Sequence, residues 1–318
     1  MKQPKVTVIT ATYNLIKNNR KDYFIQALES VHNQSYENIE HLVIDGASDD
    51  GTIKLLQEYQ DKGWITYYSE PDKGIYDAFN KGIDKASGKY IAFLNSDDFY
   101  NNKNAVKLSV NKLEKTNADF SFATAHIVRE DGSIYYVFKP NTNWVWSRMP
   151  FCHQTMFTKT EVLKKEGKFN LEYKSASDYD FIIRLFLKNY KFCKVNANIA
   201  TFRLGGESCE NAKVSILEQM QIFKNLYKEF YDLSQNELEN IVRFNDMPEI
   251  LLRKLPAKNL LWHYKKFKIK KFTRKYISFK ISLTKGIEYF SLLGKWYKKP
   301  KQNVDLSFEE YLDSINYD

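Results

Sequence analysis

The chain has 318 residues, of which 43% are hydrophobic and 15% aromatic; that is enough for one large domain with an appendage, and too apolar for a disordered chain. Its three cysteines, Cys152, Cys193 and Cys209, fall in no Cys-x-x-Cys spacing and are odd in number, so neither a disulfide framework nor a zinc site is expected. The net charge of +9 is unevenly spread: residues 253–301 hold sixteen Lys or Arg against one acid, Glu288, so the remainder is net acidic.

In chain order, the continuous apolar run Lys5–Ala11 predicts a strand, and the spacing over Tyr23–Asn33 predicts a helix. The alternation continues with strand His41–Asp45, helix Thr52–Tyr59, strand Ile65–Ser69, helix Ile75–Lys85 and strand Tyr90–Asn95. Strands separated by helices, each strand apolar throughout, predict parallel βαβ units with helices on both faces of the sheet. Beyond Asp98 the pattern changes to a helix over Lys103–Glu114 and strands at Asp119–Val128 and Ser133–Phe138. A strand His153–Thr158, helices Lys159–Lys165 and Asp178–Lys188, and strands Phe192–Lys194 and Asn198–Phe202 follow. Helices Ser208–Tyr231 and Ser234–Phe244 precede Met247-Pro248, where the body is expected to end. The chain opens on a strand without the pattern of a secretory signal, and no apolar run nears the ~20 residues of a membrane span.

In parallel sheets ligands bind beyond the carboxyl ends of the strands. Polar residues collect there: Thr12-Tyr13-Asn14, Asp45-Gly46, Glu70-Pro-Asp72 and Asn95-Ser-Asp97-Asp98. Two carboxylates at a strand end suit a hard cation such as Mg2+ or Mn2+ bridging to a diphosphate; taken alone, they more often belong to a polar turn that caps the next helix. Asp45 could accept hydrogen bonds from a base or ribose, and Ser48, Asp49 or Asp50 could cap the following helix.

Val6–Asn14, Val43–Thr52 and Gly88–Asp98 together resemble the family 2 glycosyltransferases in order and spacing, over about residues 4–210. Glu70–Gly82 is similar to a bacterial branch that builds surface polysaccharides. The resemblance implies a GT-A fold and an inverting, metal-assisted transfer from a nucleotide-sugar, a UDP-sugar favoured, to a glycan or lipid-linked acceptor. It implies that Thr12, Tyr13, Asp45 and Asp72 line the nucleoside pocket. Asp98, supported by Asp97, would hold Mg2+ or Mn2+; Asn95 stands where many relatives carry an acid. Asp178, in Ser175-Ala-Ser-Asp-Tyr-Asp180, matches the base that takes the acceptor's proton, although such a helix start is also ordinary capping. Arg203 would pair with a donor phosphate from the Phe202–Ser208 loop, or belong to a plain strand-to-helix turn. His153, Gln154 and Trp144 are acceptor-side candidates, and each has a structural alternative as a hydrogen-bonded or core residue.

The expected organisation is a catalytic domain over residues 1–247, with a nucleotide-binding half 1–98 and an acceptor half 99–247, then a basic aromatic-rich extension 248–318. Trp262, Tyr264, Phe267 and Trp296 lie among the lysines of that extension. An anionic membrane surface ranks first as its partner, a solvated helical appendage second and nucleic acid last. The first of these places the protein in the cytoplasm, on the inner face of the plasma membrane. Two rival functions differ in their marks. A sugar nucleotidyltransferase calls for a glycine-rich loop with a basic residue after the first strand, and Ala11-Thr-Tyr-Asn14 lacks one. A non-catalytic binding protein calls for lost acidic positions, and these are intact.

Overall fold

A computed structural model of the protein describes residues 3–145, 148–206, 212–228, 231–244 and 248. Contacts divide them into a first unit, residues 3–142 and 149–206, and a second unit holding 143–145, 148, 212–228, 231–244 and 248. The expected boundary at 247 and all but the first residue of the extension lie outside the described residues, as do Trp146 and Cys209.

The first unit begins with β1 (Val6–Thr12), α1 (Lys21–His32), β2 (Ile39–Asp45), α2 (Thr52–Asp61), β3 (Thr66–Ser69), α3 (Ile75–Lys85) and β4 (Tyr90–Phe93). Their strands lie in the order β3-β2-β1-β4, all parallel, as the strand–helix alternation predicts. Alternation of side chains along a strand explains the three layers. Val6 and Val8 of β1 pack in one core with Ala27 and Val31 of α1. Ile9 points the other way, to α3, where a Cβ on Gly82 would stand 2.6 Å from the Ile9 Cγ2. Glycine at that helix position is what lets α3 lie this close.

The second half of the sheet is mixed. After α4 (Ala105–Thr116) come β5 (Phe120–Val128), β6 (Ile134–Phe138), β7 (Phe157–Lys159), α5 (Thr160–Lys165), α6 (Ser177–Leu187) and β8 (Phe192–Arg203). β7 pairs antiparallel with both β4 and β5, β6 pairs antiparallel with β5, and β8 runs parallel to β5.

Two expectations are corrected here. His153–Thr155 is a single 3-10 turn and not the start of a strand. The Thr155 hydroxyl accepts from Ala123 N at 3.1 Å and reaches Cys152 O at 2.8 Å, so a side chain fills the place of a strand pair. Phe192–Arg203 is one strand of 12 residues and not two, because register shifts opposite Phe122, Thr124 and Ala125 absorb the polar stretch between its apolar ends.

The second unit contains α7 (Ala212–Tyr227) and α8 (Gln235–Phe244), both placed by sequence in the acceptor half. Ser234 and Glu237 cap α8 reciprocally: Ser234 N donates to Glu237 Oε2 at 2.9 Å, and Glu237 N donates to Ser234 Oγ at 3.4 Å. No helix among the described residues is long and apolar enough to cross a membrane.

The buried polar residue His41 of β2 lies 3.0 Å from the Thr10 hydroxyl through its Nε2, and burial pushes its imidazole down to about 3. The unfolded chain protonates this ring near about 6.5, so protons favour unfolding. The contribution is fully present above that pH and is lost as pH falls from about 6.5 toward about 3, by up to about 1.4 kcal/mol per pH unit. Unfolding free energies from urea titrations at about pH 7 and about pH 5 should therefore differ less for His41→Gln than for the unaltered chain, by about 1–2 kcal/mol. An equal difference in the two proteins would rule out His41 as the source.

Candidate functional site

The carboxyl ends of β1, β2 and β3 stand in register, Thr12 beside Asp45 and Asp45 beside Ser69. Asp45 is fully buried and accepts four hydrogen bonds: from Thr12 Oγ1 at 3.1 Å, Ser69 Oγ at 2.8 Å, Ser48 N at 2.8 Å and Ser48 Oγ at 2.6 Å. Two carboxylate oxygens offer about four lone pairs, so this carboxylate is saturated by the protein itself. Ser48 Oγ also accepts from Asn14 N at 2.8 Å, which ties the loop after β1 to the loop after β2. None of the expected residues is the N-cap of α2, which is Gly51 without a side-chain cap, but Asp50 just before it braces the helix start. Its Oδ1 accepts from Thr52 N at 3.0 Å and its Oδ2 from Lys17 N at 2.7 Å.

Tyr13 is 61% exposed. A Cβ on Gly46 would lie 2.8 Å from Asp72 Oδ2 and 3.3 Å from Tyr13 Cδ2, so the ring, the bare glycine and the carboxylate sit side by side. Burial holds the Asp72 carboxyl above its ordinary range, reinforced by Asp77 and Asp45 and opposed by the Gly74 N–H and Lys81.

Asp97 and Asp98 follow β4 and differ sharply. Asp98 has no exposed surface. Its Oδ2 accepts from Gln154 Nε2 at 2.7 Å and its Oδ1 from Arg203 N at 2.9 Å, with Asn95 as a further partner. Burial, and then the charge of Asp97, push its carboxyl well above the usual range. The Asp97 side chain keeps 17% exposure, with the Arg20 guanidinium 3.8 Å away. Burial raises its carboxyl too, against the pull of Arg20 and Arg203. A Cβ on Gly206 would stand 2.7 Å from Asp97 Oδ2, so the turn after β8 passes directly over this carboxylate. Arg203 donates through Nε to Asp97 O at 3.3 Å and through a terminal guanidinium nitrogen, NH2, to Gln26 Oε1 at 2.8 Å, and stacks 4.1 Å above the Tyr23 ring. No group of three His, Cys, Asp or Glu poised for a metal occurs among the described residues.

Asp178 opens α6. Its Oδ1 accepts from Tyr76 Oη at 3.0 Å and Tyr179 N at 2.8 Å, and its Oδ2 faces His153 Nδ1 at 3.1 Å. His153 Nε2 is buried without a hydrogen-bond partner among the described residues. Asp180 turns aside to Arg184, 2.9 Å away. Ser177 donates to Asn170 O at 2.8 Å and does not cap the helix. The 3-10 turn thus sends neighbouring residues to two acids, His153 to Asp178 and Gln154 to Asp98. Trp144 lies in the second unit, at the end of a 3-10 turn, Thr142–Trp144.

Sequence reasoning missed Tyr76 and Arg20. Tyr76 stands within the quoted Glu70–Gly82 segment, where its apolar ring reads as helix core. Arg20 lies in a polar loop, and no spacing marks it, because its partners Asp97 and Gly205 are distant in the chain.

Comparison with known proteins follows the same lines. A family model described as Glycosyl transferase family 2 matches residues 7–188. An uncharacterized glycosyltransferase of Methanocaldococcus jannaschii is 28% identical over 214 residues, 64% of this chain and 72% of that protein. The Bacillus subtilis glycosyltransferase TuaG, named for teichuronic acid biosynthesis, is 35% identical over 133 residues, covering 41% of this chain and half, 50%, of TuaG. Among solved structures, S. aureus TarS 1-349 in complex with UDP-GlcNAc superposes with a TM-score of 0.53 at 20% identity, over 90% of this chain and 93% of that one. The mannosyltransferase PcManGT of Pyrobaculum calidifontis, in complex with GDP-Man and Mn2+, gives 0.58 at 16% identity, over 89% and 86%. At these identities the likeness is one of fold, and it is the GT-A architecture expected from sequence.

The Asp98 environment yields a stability prediction. Gln154→Leu removes a donor from a buried carboxylate and should lower unfolding free energy by about 1–3 kcal/mol. A change below about 0.5 kcal/mol in urea unfolding, the scale of an inert surface substitution, would contradict the description of that bond.

Proposed function

The chain belongs to glycosyl transferase family 2, and on that premise we propose that it transfers a sugar, with inversion, from a nucleotide-sugar to a hydroxyl of a glycan or lipid-linked acceptor in bacterial surface polysaccharide synthesis. The observation that carries this reading is the single turn that links two acidic centres, Gln154 on Asp98 and His153 facing Asp178. The name of TuaG supports the polysaccharide setting. A UDP donor is favoured by the complex of TarS with UDP-GlcNAc, and the GDP-Man complex of PcManGT makes GDP the comparison to run.

In this reading the nucleoside lies against Tyr13, Gly46 and Asp72, where an exposed ring and a bare backbone leave a flat surface. Thr12 and Asp45 shape that surface from beneath, since every lone pair of Asp45 is already engaged. Mg2+ needs only one or two carboxylates when substrate phosphates complete its shell. The partly open Asp97 and the buried, unpartnered Asn95 Oδ1 fit an ion, Mg2+ or Mn2+, shared with the donor diphosphate. Such an ion would neutralise charge on the departing diphosphate. We assign the direct contact to Asp97, with Asp98 beneath it as the carboxylate that locks Gln154 and the end of β8. Arg203 supplies a fixed positive charge beside the same oxygens.

Asp178 takes the proton of the acceptor hydroxyl as that oxygen attacks the anomeric carbon and the bond to the diphosphate oxygen breaks. Oδ1 is committed to Tyr76 and Tyr179, so the proton goes to Oδ2, which among the described residues His153 alone meets. A rigidly held carboxylate of this kind contributes about 10²–10⁴-fold as a general base. The basic extension, at about 1 kcal/mol per Lys or Arg near an anionic surface, would keep the protein on the membrane beside a lipid-linked acceptor.

Nucleoside diphosphate release from a panel of UDP-, GDP-, dTDP- and CMP-sugars tests the reading. Asp178→Asn should lose about 10²–10⁴ in turnover while binding nucleotide normally, and Asp97→Asn should lose the Mn2+-dependent part of nucleotide binding. Undiminished turnover in either variant removes that residue's role. For the extension, the full chain should co-sediment with vesicles rich in phosphatidylserine and stay free of phosphatidylcholine vesicles. Equal partition to both would exclude electrostatic attachment.

A further inference from the structure

Arg20, in the loop before α1, holds a position that the assigned chemistry does not use. One terminal nitrogen, NH2, donates to Gly205 O, in the turn that crosses Asp97. The other, NH1, lies 3.8 Å from Asp97 Oδ2, beyond hydrogen-bonding reach, and is buried with no hydrogen-bond partner among the described residues. The guanidinium stands 5.6 Å over the Tyr23 ring, and Arg203 stands 4.1 Å over the same ring. Two guanidinium groups are thus gathered on one aromatic ring, beside a pair of adjacent carboxylates.

We propose that Arg20 is a ligand of the donor's diphosphate, exchanging its ion pair with Asp97 for phosphate oxygens when a divalent cation and the diphosphate enter together. This rests on the nucleotide-sugar reading above and adds a residue to it. Without ligand the Asp97 carboxylate faces the Arg20 guanidinium at 3.8 Å, with Arg203 held beside it. A divalent cation at Asp97 leaves Arg20 without its carboxylate, and a diphosphate restores the balance. The planar fork of guanidinium donors matches phosphate oxygens, and Arg20 already has an N–H unmatched by any acceptor. Arg203, the other guanidinium at this edge, already donates to Asp97 O and to Gln26 Oε1. The competing account makes Arg20 a strut that only pins the turn at Gly205 over Asp97.

The two accounts separate in equilibrium binding to the full chain. UDP, GDP and the corresponding nucleosides are titrated with Mn2+ into the unaltered protein, Arg20→Gln and Arg20→Lys, and Mn2+ is titrated alone. Arg20→Gln should lose about tenfold or more in affinity for the diphosphate, the order expected of a lost charge-assisted bond. Its nucleoside affinity should be unchanged, and Mn2+ alone should bind it more tightly, because Asp97 no longer has a competing cation. Arg20→Lys, a point charge in place of a fork, should fall between the two. An equal loss for nucleoside and diphosphate, or no loss for either, overturns the proposal and leaves the strut. Should Arg20→Gln fail to fold, unchanged diphosphate affinity in Arg20→Lys overturns it alone. If the unaltered chain binds no nucleoside diphosphate, the donor reading fails and this inference with it.

Discussion

The carboxylate of Asp98 is the constraint on which the first unit turns. It is wholly buried, and an uncompensated carboxylate in such a place would be strongly destabilising. Its partners come from separate stretches of chain: Asn95 at the end of β4, Gln154 in the turn before β7, and the Arg203 amide at the end of β8. Satisfying one carboxylate therefore brings the parallel and the mixed halves of the sheet together. The same demand delivers Arg203 to the edge where Asp97 stands.

Asp45 shows the same economy on the nucleoside side. Its saturation by Thr12, Ser48 and Ser69 makes it a fastener of three strand ends. What it leaves open is the surface above it, with an exposed Tyr13 ring and a glycine too close to Asp72 to carry a side chain. A residue can thus stand at the expected strand end and act through its neighbours.

Much of the parallel half was legible because buried parallel strands are apolar throughout, and their ends expose whatever polar residues follow. Asp45, Asp72, Asp97 and Asp98 were found by that logic. That Asp98 is the wholly buried member of the last pair and Asp97 the partly exposed one was not legible, since adjacent letters do not say which carboxylate faces inward. Arg20 was invisible because its partners are remote in sequence. The 3-10 turn at His153 was read as a strand because its apolar continuation, Met156-Phe157, matches one, and the Thr155 hydroxyl that replaces strand pairing leaves no periodic trace. β8 was split in two because its polar middle interrupts the apolar pattern that sequence reading depends on.

The turn at Cys152–Met156 has a consequence for how such a protein can diversify. A 3-10 turn has about three residues per revolution, so adjacent side chains leave it about a third of a turn apart. That divergence is what lets His153 and Gln154 serve different acids. An inserted or deleted residue there would rotate both away at once, whereas the tip of the β5–β6 hairpin, exposed at Glu130–Ser133, can change length without moving either. Variation in length across relatives should therefore collect in the hairpin and spare the turn, which acts as a fixed gauge between the two acidic centres.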